Sequence, residues 1–257
     1  MPSQQAILMG IPWRPILVAS ADFDGTNDYM TRGAGLTGAA DSKTGILSLW
    51  IRKDGGDGAA QRVLSSATTA AGATERAAVG WAADNTFVIE FYDNAGAVAV
   101  NMATTSTFTA SATWFHILAS WNSTAGSQVT HLYVNDVSDK ASESFGANNI
   151  KYATGDWGIG ARPDGAGKLN SCLSEFYFAP GQFLDFSTES NRRKFITAVL
   201  KPAYLGADGS LPTGTAPIAY QRISAGAAVT TFATNLGGGG DFTITGTLTA
   251  GSTSPSD

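Results

Sequence analysis

The sequence lacks most of the features of disulfide-stapled, nucleic-acid-binding and membrane-inserted proteins. Cys172 is the only cysteine among 257 residues, so a framework of intramolecular disulfides is excluded. Charged residues make up 14% of the chain, and a formal net charge of −5 argues against the basic face that nucleic acids require. No stretch approaches the roughly 20 consecutive apolar residues of a transmembrane helix, so we expect no membrane insertion.

Groups that support catalysis are equally scarce. The two histidines, His116 and His131, have no carboxylate in their own strands to complete a metal site, and no G-x-S-x-G nucleophile motif lies near them. Retaining glycoside hydrolases need two carboxylates roughly 5–5.5 Å apart, commonly from an E-x-D strand, and the sequence contains no E-x-D. Asp22 and Asp24 have the spacing but lie beside a predicted turn. We therefore predict no catalytic residues and no enzymatic activity.

The residues that are abundant favour β-structure. An apolar content of 43% and 30 glycines are typical of many short strands and turns around a sizeable core. The clearest signal lies in residues 114–135, which read as two alternating strands joined by a polar loop. One face of this hairpin is apolar and should enter the core; it comprises Phe115, Ile117, Ala119, Trp121, Leu132 and Val134.

The alternation also restricts how these two strands pair. A slip of one residue would move every apolar side chain of one strand into water, so the numbers of facing residues must have an odd sum. We predict a sum of 249, which pairs Ile117 with Leu132 and places His116 opposite Tyr133. The face that carries His116 is then the polar outer side of the sheet.

The order of strand and turn signals predicts an all-β fold, a two-sheet antiparallel sandwich with one short C-terminal helix. Residues 1–20 read as an extended arm with apolar runs broken by prolines, which should dock on another subunit or on its own domain. Residues 21–200 form the sandwich, with Ser187 as the N-cap of the helix. Residues 201–257 form a Gly/Thr-rich segment with two short strands, and its last nine residues should fray.

One cluster of acidic residues is a candidate metal site. Asp22, Asp24 and Asp28 lie within seven residues of one another at a strand entry and turn. Oxygen donors from one loop are the ligands that calcium prefers, although aspartates in turns usually bond their own backbone. We expect no cofactor, with calcium at these aspartates as the alternative.

A second set of residues is a candidate ligand site. Loops that carry Asp54, Asp57, Arg162 and Asp164 should lie at the rim of the sandwich. Sugars are held by aromatic platforms beside polar loops. Most of the six tryptophans lie on predicted strands where packing explains them, and Trp81 and Trp157 are the candidates for a platform.

Four segments over roughly residues 21–180 resemble segments of a known family and occur in the same order: FDGTNDYM, ILSLWIRKDG, WFHILASW and HLYVND. They resemble the opening FDG-x-N-D-Y, the F-T-I-S-x-W-V-K-P-D-G strand, the W-x-H-V-A strand and the L-Y-V-N-G turn of the concanavalin A-like, laminin-G-like family. The resemblance implies a jelly-roll sandwich. Ser174 stands where the family often has an acidic residue, which weakens a calcium site carried over from relatives.

The C-terminal part carries a looser resemblance. FAPGQFLDFSTESNRRKFI, LGADGSLPTGTAPIAY and GGDFTITGTLTAGSTSPSD are similar to the tails of laminin-G-like proteins in tailed bacteriophages and prophages. This resemblance implies a virion component such as a capsid decoration, head-fibre or tail protein. Its partners would be other virion proteins or copies of itself, in virions assembled in the host cytoplasm.

These observations lead to three functional hypotheses. We favour a non-enzymatic virion structural protein of a tailed bacteriophage, with adhesion to cell-surface glycans as a secondary role. The alternative is a carbohydrate-binding module of a bacterial surface or secreted protein. A glycoside hydrolase ranks third, because the paired carboxylates are missing.

Overall fold

The computed structural model describes residues 18–67 and 75–257, so the predicted arm up to residue 17 lies outside the described residues. In chain order the strands are β1 (Val18–Ala19), β2 (Ala21–Asp24), β3 (Tyr29–Arg32), β4 (Thr44–Lys53), β5 (Leu64–Ala67), β6 (Glu75–Trp81), β7 (Thr86–Tyr92), β8 (Val98–Thr107), β9 (Phe115–Asn122), β10 (Val129–Val134), β11 (Val137–Ser138), β12 (Lys140–Phe145), β13 (Asp156–Ile159), β14 (Asn170–Pro180), β15 (Ala219–Gln221), β16 (Ile223–Ser224), β17 (Thr243–Thr245) and β18 (Thr249–Ala250). The α-helix α1 is Glu189–Arg192, and a 3-10 helix spans Val229–Ala233. Within these ranges no helix has the length and apolar character needed to cross a membrane.

Two antiparallel sheets of eight strands form the sandwich. The front sheet has the order β11-β10-β9-β4-β14-β2-β18, with β15 also paired to β14, and the back sheet has the order β12-β8-β7-β6-β5-β13-β3-β17. Separately, β1 pairs with β16, so the last residues of the predicted arm contact the C-terminal segment of their own chain. The predicted all-β sandwich is confirmed.

Alternate apolar side chains of both sheets meet in the inner core, the cluster between the sheets. Phe91 lies in this cluster, with its ring stacked 5.9 Å from Phe178 and 4.9 Å from Trp121, centroid to centroid. Trp121 is fully buried, and its Nε1 donates a 2.8 Å hydrogen bond to the Tyr152 hydroxyl. The buried ring therefore has the polar partner that its N–H requires. Ile117 is also fully buried here, which confirms the predicted apolar face of β9.

The register of the β9–β10 hairpin differs from the prediction by two residues. Ile117 faces Val134, so facing numbers sum to 251 rather than 249. A shift of two keeps every side chain on its own face, which explains why the predicted faces are right while the predicted partners are wrong. His116 consequently lies beside Asn135 rather than Tyr133, and its main-chain N–H donates to Asn135 Oδ1 at 2.8 Å.

The outer face of the front sheet is covered, although the alternation predicted a polar, exposed surface. Apolar residues that follow β14 return across this face and pack on apolar residues of β4, β9 and β14. Together they form a second apolar cluster, the outer layer, which comprises Ile46, Leu118, Tyr177 and Ala179 from the three strands and Phe186, Phe195, Leu205 and Tyr220 from the later residues. His116 is fully buried on this face, and its Nε2 is hydrogen-bonded to Ser48 Oγ at 2.9 Å. Burial lowers the pKa of His116 to about 3, so the ring is neutral at physiological pH.

The predicted C-terminal helix is a single turn. It spans Glu189–Arg192, and Thr188 rather than Ser187 occupies the N-cap position. Ser187 instead bonds Asp185 Oδ1 through its own hydroxyl and main-chain N–H, at 2.6 and 2.9 Å. This local bonding satisfies Ser187 outside the helix, as serine side chains commonly do in turns.

The C-terminal segment contributes strands to both sheets. It carries four short strands where the sequence predicted two, and β15, β17 and β18 extend the sandwich beside β14, β3 and β2. Asn235 organises the connection, because its Oδ1 accepts the N–H of Tyr220 at 2.8 Å while its Nδ2 donates to Ile218 O at 2.9 Å. The last nine residues do not fray: Ser254 and Pro255 are buried.

Candidate ligand-binding site at the loop end of the sandwich

Several connections meet at one end of the sandwich, which we call the loop end: residues 24–28, 54–63, 108–114, 135–136 and 160–169. The antiparallel order places them together, since β4 ends where β9 and β14 begin. Lys53 O accepts the N–H of Ser111 at 2.9 Å, and Asn170 O accepts the N–H of Asp54 at 3.1 Å. The two loops predicted to form a rim therefore do lie at the same end.

The aspartates of the first predicted rim loop bind neighbouring protein groups. The Asp54 carboxylate accepts two hydrogen bonds from Arg52, at 2.7 and 3.1 Å. Asp57 lies 2.8 Å from the Lys53 ammonium and accepts the N–H of Ala110 at 3.1 Å. Its hydrogen bond with Lys53 lowers the pKa of Asp57, which keeps the carboxylate charged. These two aspartates hold their loop against β4 and the β8–β9 connection.

The second predicted rim loop is stabilised in a similar way. Arg162 lies 3.4 Å from the Asp164 carboxylate, and Asp164 also accepts the N–H of Ala166 at 3.0 Å. Trp157 does not reach the surface. It is fully buried in the inner core, with its ring centroid 5.5 Å from that of Phe178, so it offers no platform to a ligand.

The three aspartates of the calcium hypothesis do not converge. Asp24 accepts the N–H of Thr26 at 2.7 Å, and this backbone bond lowers the pKa of Asp24. Asp28 is buried, and its Oδ1 accepts the N–H of Thr247 at 2.6 Å. Asp22 lies in a different cluster. Each carboxylate thus has its own turn or strand to hold, and the donor set does not fit a shared calcium ion.

Asp22 does meet Asp54 and Cys172, and one ligand atom of each lies within 4.8 Å of the others, the single such group in the described ranges. Arg52 joins the cluster and donates to Cys172 Sγ at 3.3 Å as well as to Asp54. Its positive charge opposes a cation. Burial raises the pKa of the Cys172 thiol and so keeps it protonated. We interpret the group as a polar cluster closed by Arg52.

An open cleft of about 460 Å³, which we call the Phe115 cleft, lies between the β8–β9 connection and the β10–β11 turn. Its floor is apolar: Phe115 is half-buried, and Val137 is 68% exposed. Phe115 packs edge-on against Phe108 at a centroid distance of 4.9 Å, which fixes its ring. The rim is polar and includes Ser106, Thr107, Thr109, Asn135, Ser138 and Asp139.

A tight turn positions the polar groups of this cleft. Asn135 and Asp136 have φ of +48° and +67°, the left-handed pair that a two-residue hairpin turn requires and that Asn and Asp tolerate. Asn135 donates its main-chain N–H to His116 O at 2.9 Å, while its Nδ2 has no partner in the described chain. Asp139 uses Oδ1 to accept the N–H of Ser106 at 3.1 Å. The Nδ2 amide nitrogen of Asn135 and the second carboxylate oxygen of Asp139 therefore remain available to a ligand in the cleft.

A second cleft of about 400 Å³ lies between the two predicted rim loops. Gln61 organises it, because its Nε2 donates to the carbonyl oxygens of Gly55 and Gly56 at 2.9 Å and its Oε1 accepts the N–H of Asn170 at 2.8 Å. Gly25 is required beside it: its φ is +75°, and a Cβ there would lie 2.8 Å from Asn170. No aromatic side chain lines this Gln61 cleft, so it lacks a platform for a sugar.

Sequence reasoning missed the residues that line the Phe115 cleft. Alternation assigned Phe115 to the core, and as the first residue of β9 it lies at the margin of the core rather than inside it. One signal was available in the segment HLYVND, because its Asn-Asp pair marks the tight turn that carries Asn135.

Solved structures with the same fold include a proposed carbohydrate-binding protein from Bacteroides ovatus, with a TM-score of 0.57 and 11% identity over 93% of this chain. This chain spans 60% of that protein. A heptameric SAP-like pentraxin from Limulus polyphemus gives a TM-score of 0.51 and 12% identity, over 91% of this chain and 94% of the pentraxin. The NanB sialidase of Streptococcus pneumoniae gives 0.46 and 10% identity, over 68% of this chain and 28% of its own. At these identities the likeness concerns the fold alone.

No curated protein matches the sequence. The sequence profile of the "Concanavalin A-like lectin/glucanases superfamily" matches residues 24–181, which is more than half of the chain. The matched region runs from the FDGTNDYM segment to the end of β14 and contains strands β3 to β14, which form most of the two sheets. The resemblance to the concanavalin A-like, laminin-G-like family is thereby confirmed, and the chain belongs to the concanavalin A-like lectin/glucanase superfamily.

Proposed function

We propose that this domain is a carbohydrate-binding module without enzymatic activity, and that the Phe115 cleft holds a neutral glycan. The observation that carries the proposal is the Phe115 cleft, which has an apolar floor around Phe115 and a rim of hydroxyl, amide and carboxylate groups. A sugar has an apolar C–H face and polar hydroxyls, and this combination of surfaces is complementary to both. Membership of a lectin-containing superfamily is consistent with that chemistry.

The charges around the cleft favour a neutral ligand. Asp139 is the one formally charged side chain in the lining. Cations on neighbouring strands are engaged elsewhere: Lys53 pairs with Asp57, and Lys140 pairs with Glu143, both at 2.8 Å. A carboxylate or sulfate group on a sugar would face Asp139, and the described residues that line the cleft include no cation to offset the repulsion.

The same lining argues against hydrolysis. Glycoside hydrolases use two carboxyl groups that flank the scissile bond, whereas Asp139 stands alone in the Phe115 cleft. Glu175 has a pKa that burial raises to about 7, which would suit a general acid. However, Glu175 is buried where β14 meets β15 and bonds the Tyr220 hydroxyl at 2.8 Å, so substrate has no access to it.

Affinity electrophoresis tests the proposal, with laminarin, agarose, xylan and mannan as neutral polysaccharides and alginate and polygalacturonate as acidic ones. We expect at least one neutral gel to retard the protein and neither acidic gel to do so. Phe115→Ala should abolish retardation, and Asp139→Asn should weaken it without disturbing the core. Val98→Ala is the matched control, since Val98 is 37% exposed on β8 outside the lining of the cleft.

Two results would contradict this proposal: retardation by acidic gels only, or retardation that Phe115→Ala leaves unchanged. A reducing-sugar assay on the same polysaccharides should not exceed a denatured control. Release above that control would instead support the hydrolase hypothesis.

The virion hypothesis stays a prediction. The fold and the superfamily bear on carbohydrate binding, and they carry no information on a capsid or tail location. The alternative that the sequence offered, a carbohydrate-binding module, is the one that the cleft and the relatives favour.

A further inference from the structure

A third, smaller cleft lies beside the Phe115 cleft and shares a lining residue with it. This cleft of about 300 Å³ is lined by Trp50, Trp114 and Leu200, and we call it the Trp114 cleft. Asn135 lines both clefts, so they meet at that residue. Trp114 and Phe115 are consecutive, and side chains of consecutive extended residues point to opposite faces of a sheet. One aromatic residue therefore lies on each side of the end of the β9–β10 hairpin.

Trp114 is held in place before any ligand binds. Its Nε1 donates to Thr253 Oγ1 at 3.0 Å, and the Arg52 guanidinium lies 5.8 Å from the centroid of its ring. Arg52 donates to the same Thr253 oxygen at 2.6 Å, which links the three side chains. Arg52 covers one face of the ring, so the opposite face is the one that a ligand can contact. A fixed ring loses little side-chain entropy on binding.

Two charged residues line the Trp114 cleft, Lys201 and Asp257, and both are hydrogen-bonded to main-chain groups. Lys201 donates through its ammonium group to the main-chain oxygen of Asp257. The Asp257 carboxylate accepts the N–H of Ser254 at 2.7 Å. Leu200, which is 46% exposed, provides an apolar wall. The chemistry of this cleft thus matches that of the Phe115 cleft: an aromatic and aliphatic surface beside polar groups.

Asn135 occupies the junction in a rigid conformation. Its main chain and its Oδ1 are both bonded to the main chain of His116, at 2.9 and 2.8 Å. The remaining Nδ2 is a hydrogen-bond donor with no partner among the residues that the structure describes. A donor fixed between two aromatic residues suits an oxygen that lies between two sugar rings.

From this arrangement we infer that the two clefts form one groove for a linear neutral oligosaccharide, an inference that rests on the proposed function. Phe115 contacts one sugar residue, Trp114 contacts another, and Asn135 Nδ2 donates to an oxygen between them. The module then recognises an internal stretch of a glycan chain rather than a single terminal sugar. Such a ligand must span both aromatic residues before it gains the full affinity.

Isothermal titration calorimetry tests this inference with fragments of one, two, four and six residues, cut from the neutral polysaccharide that retards the protein. We expect affinity to rise at least roughly tenfold from one to four residues and then to level off. Trp114→Ala should reduce the affinity for the four-residue fragment about tenfold and leave that for the single sugar unchanged. Phe115→Ala should weaken both.

A second variant guards against a folding defect in Trp114→Ala. Leu200→Arg places a long side chain into the Trp114 cleft from an exposed position, so the fold should be retained while long fragments lose affinity. Thermal melting confirms the fold of each variant, and Val98→Ala again serves as the control.

The outcomes separate the two proposals. If a single sugar binds as tightly as four residues, or if Trp114→Ala and Leu200→Arg bind long fragments normally, the groove is wrong while the Phe115 site stands. If Trp114→Ala abolishes all binding and Phe115→Ala has no effect, both assignments are wrong. If no polysaccharide binds at all, the proposed function fails and this inference fails with it.

Discussion

The two faces of the front sheet are both buried, and they are buried by different parts of the chain. The inner core packs β9 against the back sheet, and its apolar residues alternate along the strand as the sequence predicts. The outer layer covers the other face with residues that follow β14, including Phe186 and Phe195. On this outer face β9 carries polar residues such as His116 and Ser120, which are nevertheless fully buried.

The comparison shows how a sheet face that carries polar side chains can be buried inside the protein. Ser120 Oγ donates to Leu184 O at 2.7 Å, and His116 Nε2 is bonded to Ser48 Oγ, so each of these two side chains has a hydrogen-bond partner under the outer layer. Those partners lie far away in sequence, and periodicity within one strand carries no information about them. The covering also closes this face of the front sheet to ligands.

The largest expected effect on stability comes from a substitution in the inner core. Phe178→Ala should lower the free energy of unfolding by about 3–5 kcal/mol, because Phe178 is fully buried among Phe91, Tyr152 and Trp157. Urea unfolding measures the change. Val199→Ala, at a residue that is 68% exposed, should stay within about 0.5 kcal/mol. A similar loss in both variants would contradict the assignment of Phe178 to the core.

Phe195→Ala tests whether the outer layer belongs to the same cooperative unit. Phe195 is 2% exposed and contacts Tyr177 at a centroid distance of 5.2 Å, so we expect a loss of about 3 kcal/mol. Unfolding should remain one transition when it is followed by tryptophan fluorescence and by far-UV circular dichroism. An early, separate transition without a change in fluorescence would mean that the outer layer is only an appendage.

Glu175 should make stability depend on pH. Burial raises its pKa in the folded state from 4.5 to about 7, so the folded protein binds this proton more tightly than the unfolded chain does. The contribution of Glu175 to stability is therefore greatest below pH 4.5 and falls as the pH rises from 4.5 to 7, by up to about 3 kcal/mol. Glu175→Gln should remove this fall and be the more stable form at pH 8.

The check for Glu175 is a set of unfolding curves at pH 5, 6, 7 and 8 for both proteins. Tyr220, whose hydroxyl bonds the Glu175 carboxyl group, keeps an acceptor in the glutamine variant. Parallel pH profiles for the two proteins would show that Glu175 does not titrate in this range.

The smallest expected effect lies where the outer layer meets the β10–β11 turn. Arg193 binds Asp136 at 2.6 Å and Glu189 at 2.9 Å, with 24% of its side chain exposed. Because Asp136 keeps Arg192 as a partner at 2.6 Å and water still reaches the Arg193 side chain, Arg193→Gln should cost less than about 1 kcal/mol, and 0.5 M salt should reduce the difference. A loss of several kcal/mol that is independent of salt would mean that this contact is buried in solution.

The sequence was sufficient to predict the sandwich and the inner face of β9, because strand alternation is a local property that burial of one face enforces. It was not sufficient for the exact register, since a shift of two residues keeps the same faces. The prediction that the last nine residues fray was also wrong. Thr253 accepts hydrogen bonds from Arg52 and Trp114, which lie 201 and 139 residues earlier in the chain. Contacts over such separations leave no local pattern.

The candidate site was predictable only as a region. The rim loops do meet, because antiparallel strands bring alternate connections to one end of a sandwich. Their charged residues turned out to bind each other: Asp54 pairs with Arg52, and Asp164 pairs with Arg162. Pairing of side chains depends on the exact paths of the loops, which neither composition nor periodicity specifies.

The most direct test of the central claim is hydrogen exchange of the protein with and without a six-residue fragment of the polysaccharide that retards it. We predict slower amide exchange in residues 106–115 and 134–139, which surround the Phe115 cleft. A polar cleft with a volume of about 560 Å³ lies away from the loop end and is lined by residues 93–95 and 147–149. The amides of these residues should exchange at unchanged rates. Protection of the latter segments, with none around Phe115, would contradict the account.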